Sequence, residues 1–163
     1  MQSEPEGVDN DSLIEGLLFE SGRPVKLVPY IQRDGLKLDR VVCCWDGSRQ
    51  AARAINDAMP FLTRAGAVDI FIVTNEKTRN GQREIHGMRM GKHLAAHDVK
   101  VEVKTTVAPD IDVASAILAY VADSAATMIV MGAYGHSRTR EFILGGATRG
   151  ILQSMTVPVL MSH

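Results

Sequence analysis

Val41-Val42-Cys43-Cys44-Trp45-Asp46-Gly47-Ser48 is an apolar run that ends on a carboxylate, a glycine and a hydroxyl, with a helical pattern starting directly behind it. A run that is apolar on both faces suits a strand covered by helices from both sides, the position of a central strand in a parallel sheet. Ser48 is placed to cap the helix that follows. The stripe of that helix is Ala51, Ala54, Ile55, Ala58, Met59 and Leu62, and Pro60 is expected to kink or shorten it. Outward from this unit the alternation repeats. Ile70-Phe71-Ile72-Val73 is a second wholly apolar run, followed by a looser helical pattern over residues 83 to 97. Val99, Val101 and Val103 alternate with Lys100, Glu102 and Lys104, so the third strand has a wet face and is expected at a sheet edge. Val113, Ile117, Tyr120 and Val121 form a helical stripe behind Asp110 or Asp112 as the cap. Met128-Ile129-Val130-Met131 is the fourth strand. A glycine-containing loop then leads to a short helix and a last strand, Val157 to Met161, whose Pro158 suits an edge better than a centre. Strands alternating with helices in this way predict an α/β domain with a five-stranded parallel sheet and helices on both faces.

The chain has 163 residues, 45% hydrophobic and 23% charged, enough for one domain with a buried core. Eighteen basic residues against nineteen acidic ones give a formal charge of -1, which argues against a nucleic-acid partner held by bulk charge. No apolar run reaches membrane-span length, and residues 1 to 7 lack the basic, apolar pattern of an export signal. The expectation is a cytoplasmic protein with no membrane partner. Cys43 and Cys44 are adjacent, so they form no disulfide framework, and on a strand they point to opposite faces as packing residues.

Residues 1 to 11 are acidic and polar and read as a disordered leader. Residues 16 to 27 (GLLFESGRPVKL) align without gaps on residues 150 to 161 (GILQSMTVPVLM), with Gly, Leu, Pro and Val recurring in register. Residues 12 to 29 therefore read as a helix-strand tail of a preceding domain, and residues 38 to 163 as one complete domain. A lone helix-strand unit cannot bury its own apolar side. The edge strands Val25 to Val28 and Val157 to Met161 are expected to pair, within one chain or between two chains as a homodimer.

In an open parallel sheet, ligands bind beyond the carboxyl ends of the strands, where the strand order reverses. Asp46 ends the first strand. Met131-Gly132-Ala133-Tyr134-Gly135-His136-Ser137-Arg138 ends the fourth, and its loop runs on to Gly145-Gly146-Ala147-Thr148 at a helix start. Glycines let backbone N–H groups approach a phosphate, and a helix N-terminus adds its dipole. With His136, Arg138, Arg140 and Arg149 the stretch is locally basic, which describes an anion site; the alternative is that the glycines only make turns and a helix start. Asp46 is placed to accept from an amino group or a ribose hydroxyl.

The spacing Gly132-x2-Gly135-x9-Gly145, the strand ending at Asp46, Val107-Ala108-Pro109 before the third helix and the closing Val157-Pro158-Val159 together resemble the universal stress proteins. The resemblance spans residues 38 to 163 and implies strand order 3-2-1-4-5, counted from the strand at residue 41. Many members carry two such domains in one chain, in keeping with the repeat. It also implies an ATP site, with Mg2+ as a companion ion. Asp46 would lie near the adenine or ribose, Ile72 or Val73 against the base, and Met131 and Gly132 beneath the ribose and phosphates. Gly135, Gly145 and Gly146 would donate to the phosphates from their backbones, with His136, Arg138, Ala147 and Thr148 completing the loop and helix start. One departure stands out: the Ser or Thr that follows the third glycine in the family is Gly146 here, and Thr148 is the nearest hydroxyl. Trp45 stands where the family often has a smaller residue, and either stacks on the base or fills the pocket.

Other signals carry less. His93 and His97 share a helix face but lack a third metal ligand, so a solvated face is expected. Gly87-Met88-Arg89-Met90-Gly91-Lys92 has one residue too few between its glycines for a phosphate loop and falls inside a helical pattern. No serine or cysteine is placed with a base and a carboxylate. The expected function is a stress-response protein that binds ATP and acts through nucleotide-dependent association, with at most slow hydrolysis. The second reading is a nucleotide-free, dimeric interaction module of the same fold. A nucleotide hydrolase or ligase is disfavoured, because Asp46-Gly47-Ser48 does not supply the Gly-Gly-x-Asp-Ser signature of such synthetases.

Overall fold

The computed structural model describes residues 10 to 74, 81 to 108, 112 to 133 and 145 to 163. In chain order the elements are α1 (Asn10–Glu20), β1 (Val25–Leu27), β2 (Arg40–Cys44), α2 (Arg49–Asp57), α3 (Met59–Leu62), β3 (Ala67–Thr74), α4 (Gln82–Ala95), β4 (Val101–Val107), α5 (Val113–Asp123), β5 (Met128–Gly132), α6 (Gly146–Ser154) and β6 (Val159–Ser162). The sheet has six strands in the order β1-β6-β5-β2-β3-β4. It is mixed where a wholly parallel sheet of five strands was the expectation. β6 through β4 are parallel, and β1 adds to β6 antiparallel.

Two apolar layers flank the sheet. On one side α2, α3 and α4 cover Val41, Cys43, Ile70 and Ile72. On the other, α1, α5 and α6 cover Val42, Phe71, Ile129 and Met131. Successive strand residues alternate between the layers, which places Cys43 and Cys44 on opposite faces. Ser48 Oγ accepts from the Ala51 amide at 3.0 Å and caps α2. The helix over residues 51 to 62 is broken at Ala58, because Pro60 clashes with a continued helix and instead sits in the first turn of α3. Of the two cap candidates Asp112 caps α5, its carboxylate accepting from the Ser115 amide at 3.0 Å; Asp110 lies outside the described residues.

Several expectations need correction. Val99 precedes β4, which starts at Val101 and occupies the edge its wet face predicted. The expected pairing of the two edge strands is made within the chain, β1 adding to β6, so the last strand is not left at an edge. Pro158 lies one residue before β6, where its carbonyl accepts from the Ile129 amide at 2.9 Å and its missing N–H disrupts no ladder. α1 begins at Asn10, inside the stretch expected to be a leader, whose residues 1 to 9 lie outside the described residues. Val113 is largely exposed, and the buried stripe of α5 is Ala114, Ile117 and Val121. Gly87 and Gly91 are buried in α4. A Cβ on Gly87 would lie 2.6 Å from Ile72 Cδ1, so that stretch is a close helix-sheet contact rather than a phosphate loop.

At the amino end of the sheet Asp69, fully buried, accepts from Arg40 Nη1 at 2.8 and 2.7 Å and from the Tyr120 hydroxyl at 2.9 Å. The Tyr120 ring stacks on Phe71 with centroids 4.1 Å apart. Asp69 raises the Arg40 pKa, and burial followed by the Asp69 hydrogen bond pushes Tyr120 up to about 12. Burial also raises Cys43, and burial with the Asp46 charge raises Cys44 to about 12. Cys43, Cys44 and Tyr120 are thus held protonated and neutral in the fold. In the unfolded chain they ionise from ordinary values of 9.0 and 10.0. Stability from this source is complete at neutral pH and is lost as pH rises through 9 toward about 12. Urea midpoints should fall steadily over that window, and a midpoint flat to pH 11 would contradict the assignment.

Candidate functional site

β2 leads on to β3 and β4 in one direction, while β5 and β6 lie in the other, so the strand order reverses between the neighbouring strands β2 and β5. A cavity of about 240 Å³ opens at the carboxyl end of that pair. Its apolar wall is Phe71 and Val73 of β3, Met131 of β5 and Ile117 of α5. Asp46 stands at the rim, exposed, with Oδ1 accepting from the Ser48 amide at 2.9 Å. Gly132 ends β5 against the first turn of α2. Across the cavity Gly145, Gly146, Ala147 and Thr148 bring in the N-terminus of α6.

The start of α6 is unusual in two ways. Its N-cap is Gly145, which has no side chain to satisfy the first amides. Thr148, 1% exposed, lines the cavity, and its buried Oγ1 has no hydrogen-bond partner among the described residues. A buried hydroxyl without a partner costs about 1 to 3 kcal/mol. Native folds rarely leave one unless something else completes it.

Most of the residues selected from sequence are brought together here: Asp46, Val73, Met131, Gly132, Gly145, Gly146, Ala147 and Thr148 all line the one cavity. Gly135, His136 and Arg138 lie outside the described residues. Of the two β3 candidates Val73 faces the cavity, and Ile72 is buried on the opposite face of the sheet. Trp45 is 7% exposed and forms part of the wall, its indole N–H donating to the Arg83 carbonyl at 3.3 Å and its ring packed in the layer beneath α4. Residues not selected are Cys44, Ala51, Phe71, Arg83, Val113 and Ile117. Strand parity reveals two of them, since Phe71 shares a face with Val73 and Cys44 ends β2 on that same face. Arg83, in the first turn of α4, brings a cation into the lining that no motif marked. His93 and His97 are exposed and meet edge to face at 4.9 Å. Among the described residues no group of three His, Cys, Asp or Glu side chains is placed to hold a metal ion.

A model of the universal stress protein family matches residues 37–163. The chain belongs to that family. Universal stress protein Slr1230 of Synechocystis is 29% identical over 127 residues, which is 76% of this chain and 42% of the relative. The chain thus spans less than half the length of that curated universal stress protein. A universal stress protein structure from Archaeoglobus fulgidus superposes with a TM-score of 0.71 at 26% identity, over 93% of this chain and 55% of that one. A universal stress protein solved in complex with cAMP superposes at TM-score 0.56 and 18% identity, covering 77% of this chain and 97% of its own, and shares the fold. Among the described residues no helix is long and apolar enough to cross a membrane.

Proposed function

We propose that this universal stress protein binds ATP in the cleft between β2, β5 and α6 and acts through nucleotide-dependent association rather than rapid turnover. Family membership supports a stress-response role, and the relative solved with cAMP supports a nucleotide as the ligand class. The observation that carries the reading is the buried Thr148 hydroxyl, without a partner among the described residues, beside a helix start with no side-chain cap. Phosphate oxygens accept from such a hydroxyl and from first-turn amides at once, and the helix dipole favours the anion. The cavity, at about 240 Å³, is below the usual ligand-pocket range of roughly 300 to 1,000 Å³. It accommodates the base and ribose between Val73, Met131 and Asp46, with the phosphates passing outward over Gly145 to Thr148. Mg2+ enters this reading only as a companion of the triphosphate.

In this reading Thr148 takes over the work of the family hydroxyl absent at Gly146. A Cβ on Gly146 meets nothing within 4 Å. Gly146→Ser is therefore expected to fold normally and to tighten ATP binding severalfold by adding a donor; unchanged or weaker affinity in calorimetry would show that the phosphates lie elsewhere. Mass spectrometry of small molecules released by denaturing freshly purified protein tests the ligand class directly. An adenine nucleotide at near-stoichiometric yield is the expected result. Protein that comes out empty and stays silent to added ATP favours the nucleotide-free interaction module.

A further inference from the structure

We propose that the groove between α2 and α4 docks an acidic segment of a partner protein. The groove is open, with a volume of about 400 Å³, and among the described residues Trp45 alone lines both it and the nucleotide cleft. Arg49 enters from the first turn of α2, and His86, Arg89 and His93 enter from α4. On α4 these three stand at i, i+3 and i+7, which is one face of the helix. Gly87 and Gly91 hold the other face against the sheet, where a Cβ would meet Ile72 and Val103. The floor is apolar, made by Trp45 and Met90.

The charge of this groove is one-sided. Among the described residues its lining holds no carboxylate, and no ion pair reaches Arg49 or Arg89. Both guanidinium groups and both imidazoles belong to exposed residues. The whole chain has nineteen acidic residues against eighteen basic ones, so the segregation is local. It also runs against helix electrostatics. Arg49 is the first residue of α2, at the positive end of the helix dipole, and no acid in that first turn offsets it. A carboxylate arriving at Arg49 relieves the like-charge crowding and faces the favourable end of the dipole at once. Shape then selects the partner. From His86 to His93 the stripe runs about 10 Å along α4, the length of roughly three residues of extended chain. A segment with carboxylates on either side of an apolar residue meets both features. The apolar side chain covers Trp45 and Met90, and the carboxylates reach Arg49 on one wall and Arg89 on the other. A nucleic acid is the poorer match, because its phosphates would run past this short stripe onto a chain of net negative charge.

Trp45 is the single tryptophan of the chain, so its fluorescence reports on the groove without a label. The probe is the peptide Glu-Glu-Leu-Glu-Glu-Leu-Glu-Glu, titrated into the full chain at physiological salt and without nucleotide. Its counterpart with Gln at every Glu is the control. A saturable change is expected with the Glu peptide and none with the Gln peptide. Arg49→Glu/Arg89→Glu alters two exposed residues, and its fold is checked by circular dichroism. It should weaken binding about tenfold or more. Arg64→Glu/Lys100→Glu makes the same charge change on exposed residues at the amino end of the sheet, and should bind within about threefold of wild type. No saturable response to the Glu peptide, or equal affinity in the wild type and the folded Arg49→Glu/Arg89→Glu chain, overturns the proposal. So does a single-stranded oligothymidylate that binds more tightly than the peptide and loses its affinity in the same variant. Because no nucleotide is present, this docking surface and the ATP cleft can each fail without the other.

Discussion

Asp69→Ala is expected to lower the unfolding free energy by about 3 kcal/mol, the lower end of what breaking a buried ion pair costs. The carboxylate is fully buried and receives three hydrogen bonds, two from Arg40 and one from Tyr120. Its removal leaves a partly buried guanidinium facing a cavity and a phenol without an acceptor, and each orphaned group carries its own desolvation cost. The figure is set at the low end because the Arg40 side chain is 34% exposed, so water re-solvates part of its charge. Tyr120→Phe should cost about 1 kcal/mol, since it removes one hydrogen bond and keeps the stacking on Phe71. Urea unfolding followed by far-ultraviolet circular dichroism reads both changes. An Asp69→Ala midpoint equal to wild type would show that the network contributes nothing net.

Gly132→Val has the second large effect and reaches both fold and site. A Cβ at this position would stand 2.6 Å from the Ala51 amide nitrogen and 2.6 Å from the Gln50 carbonyl carbon. Those are backbone atoms of the first turn of α2, and no rotamer change moves them aside. Either β5 or α2 must shift, at a cost of about 2 to 3 kcal/mol for overpacking a tight contact. The same shift moves Asp46 and Met131 apart, because α2 follows Asp46 directly and Gly132 follows Met131. Loss of ATP binding is therefore expected even at temperatures where the variant remains folded, and calorimetry below its melting transition separates the two effects. Retained affinity in the folded variant would mean the cleft tolerates the displacement and that Gly132 matters for packing alone.

Much of the fold was legible because its signals are local. The doubly apolar runs at Val41 and Ile70 marked covered strands, the alternation from Val101 marked the wet edge, and Ser48 and Asp112 marked helix starts by their own chemistry. The site was legible for the same reason: Asp46, Gly132 and Gly145 close or open elements, and the switch point brings such termini together. What stayed hidden depends on neighbours. Pro158 reads identically whether it lies within a strand or one residue before it. The repeat gave the pairing of β1 with β6, but that it is made within the chain follows from tertiary docking. The state of Thr148 was hidden too, because its burial comes from the close approach of α6 to α5, where a Cβ on Gly150 would lie 2.7 Å from the Ala114 Cβ. No periodicity reports a hydroxyl left without a partner.

That hydroxyl offers the most direct test of nucleotide binding at this cleft. ATP titration calorimetry should be run on the full chain, on Thr148→Val and on Thr148→Ser, alongside urea unfolding of each. Thr148→Val removes a buried, unpaired polar group at nearly constant volume, so its stability should equal or exceed that of the wild type. Its affinity for ATP should fall about tenfold or more, as loss of a charge-assisted hydrogen bond requires. Thr148→Ser should bind nearly as wild type does. Saturable wild-type binding with that pattern places the nucleotide against the start of α6. Equal affinity in the valine and wild-type chains, or no binding heat from either, would contradict the assignment of this cleft as a nucleotide site.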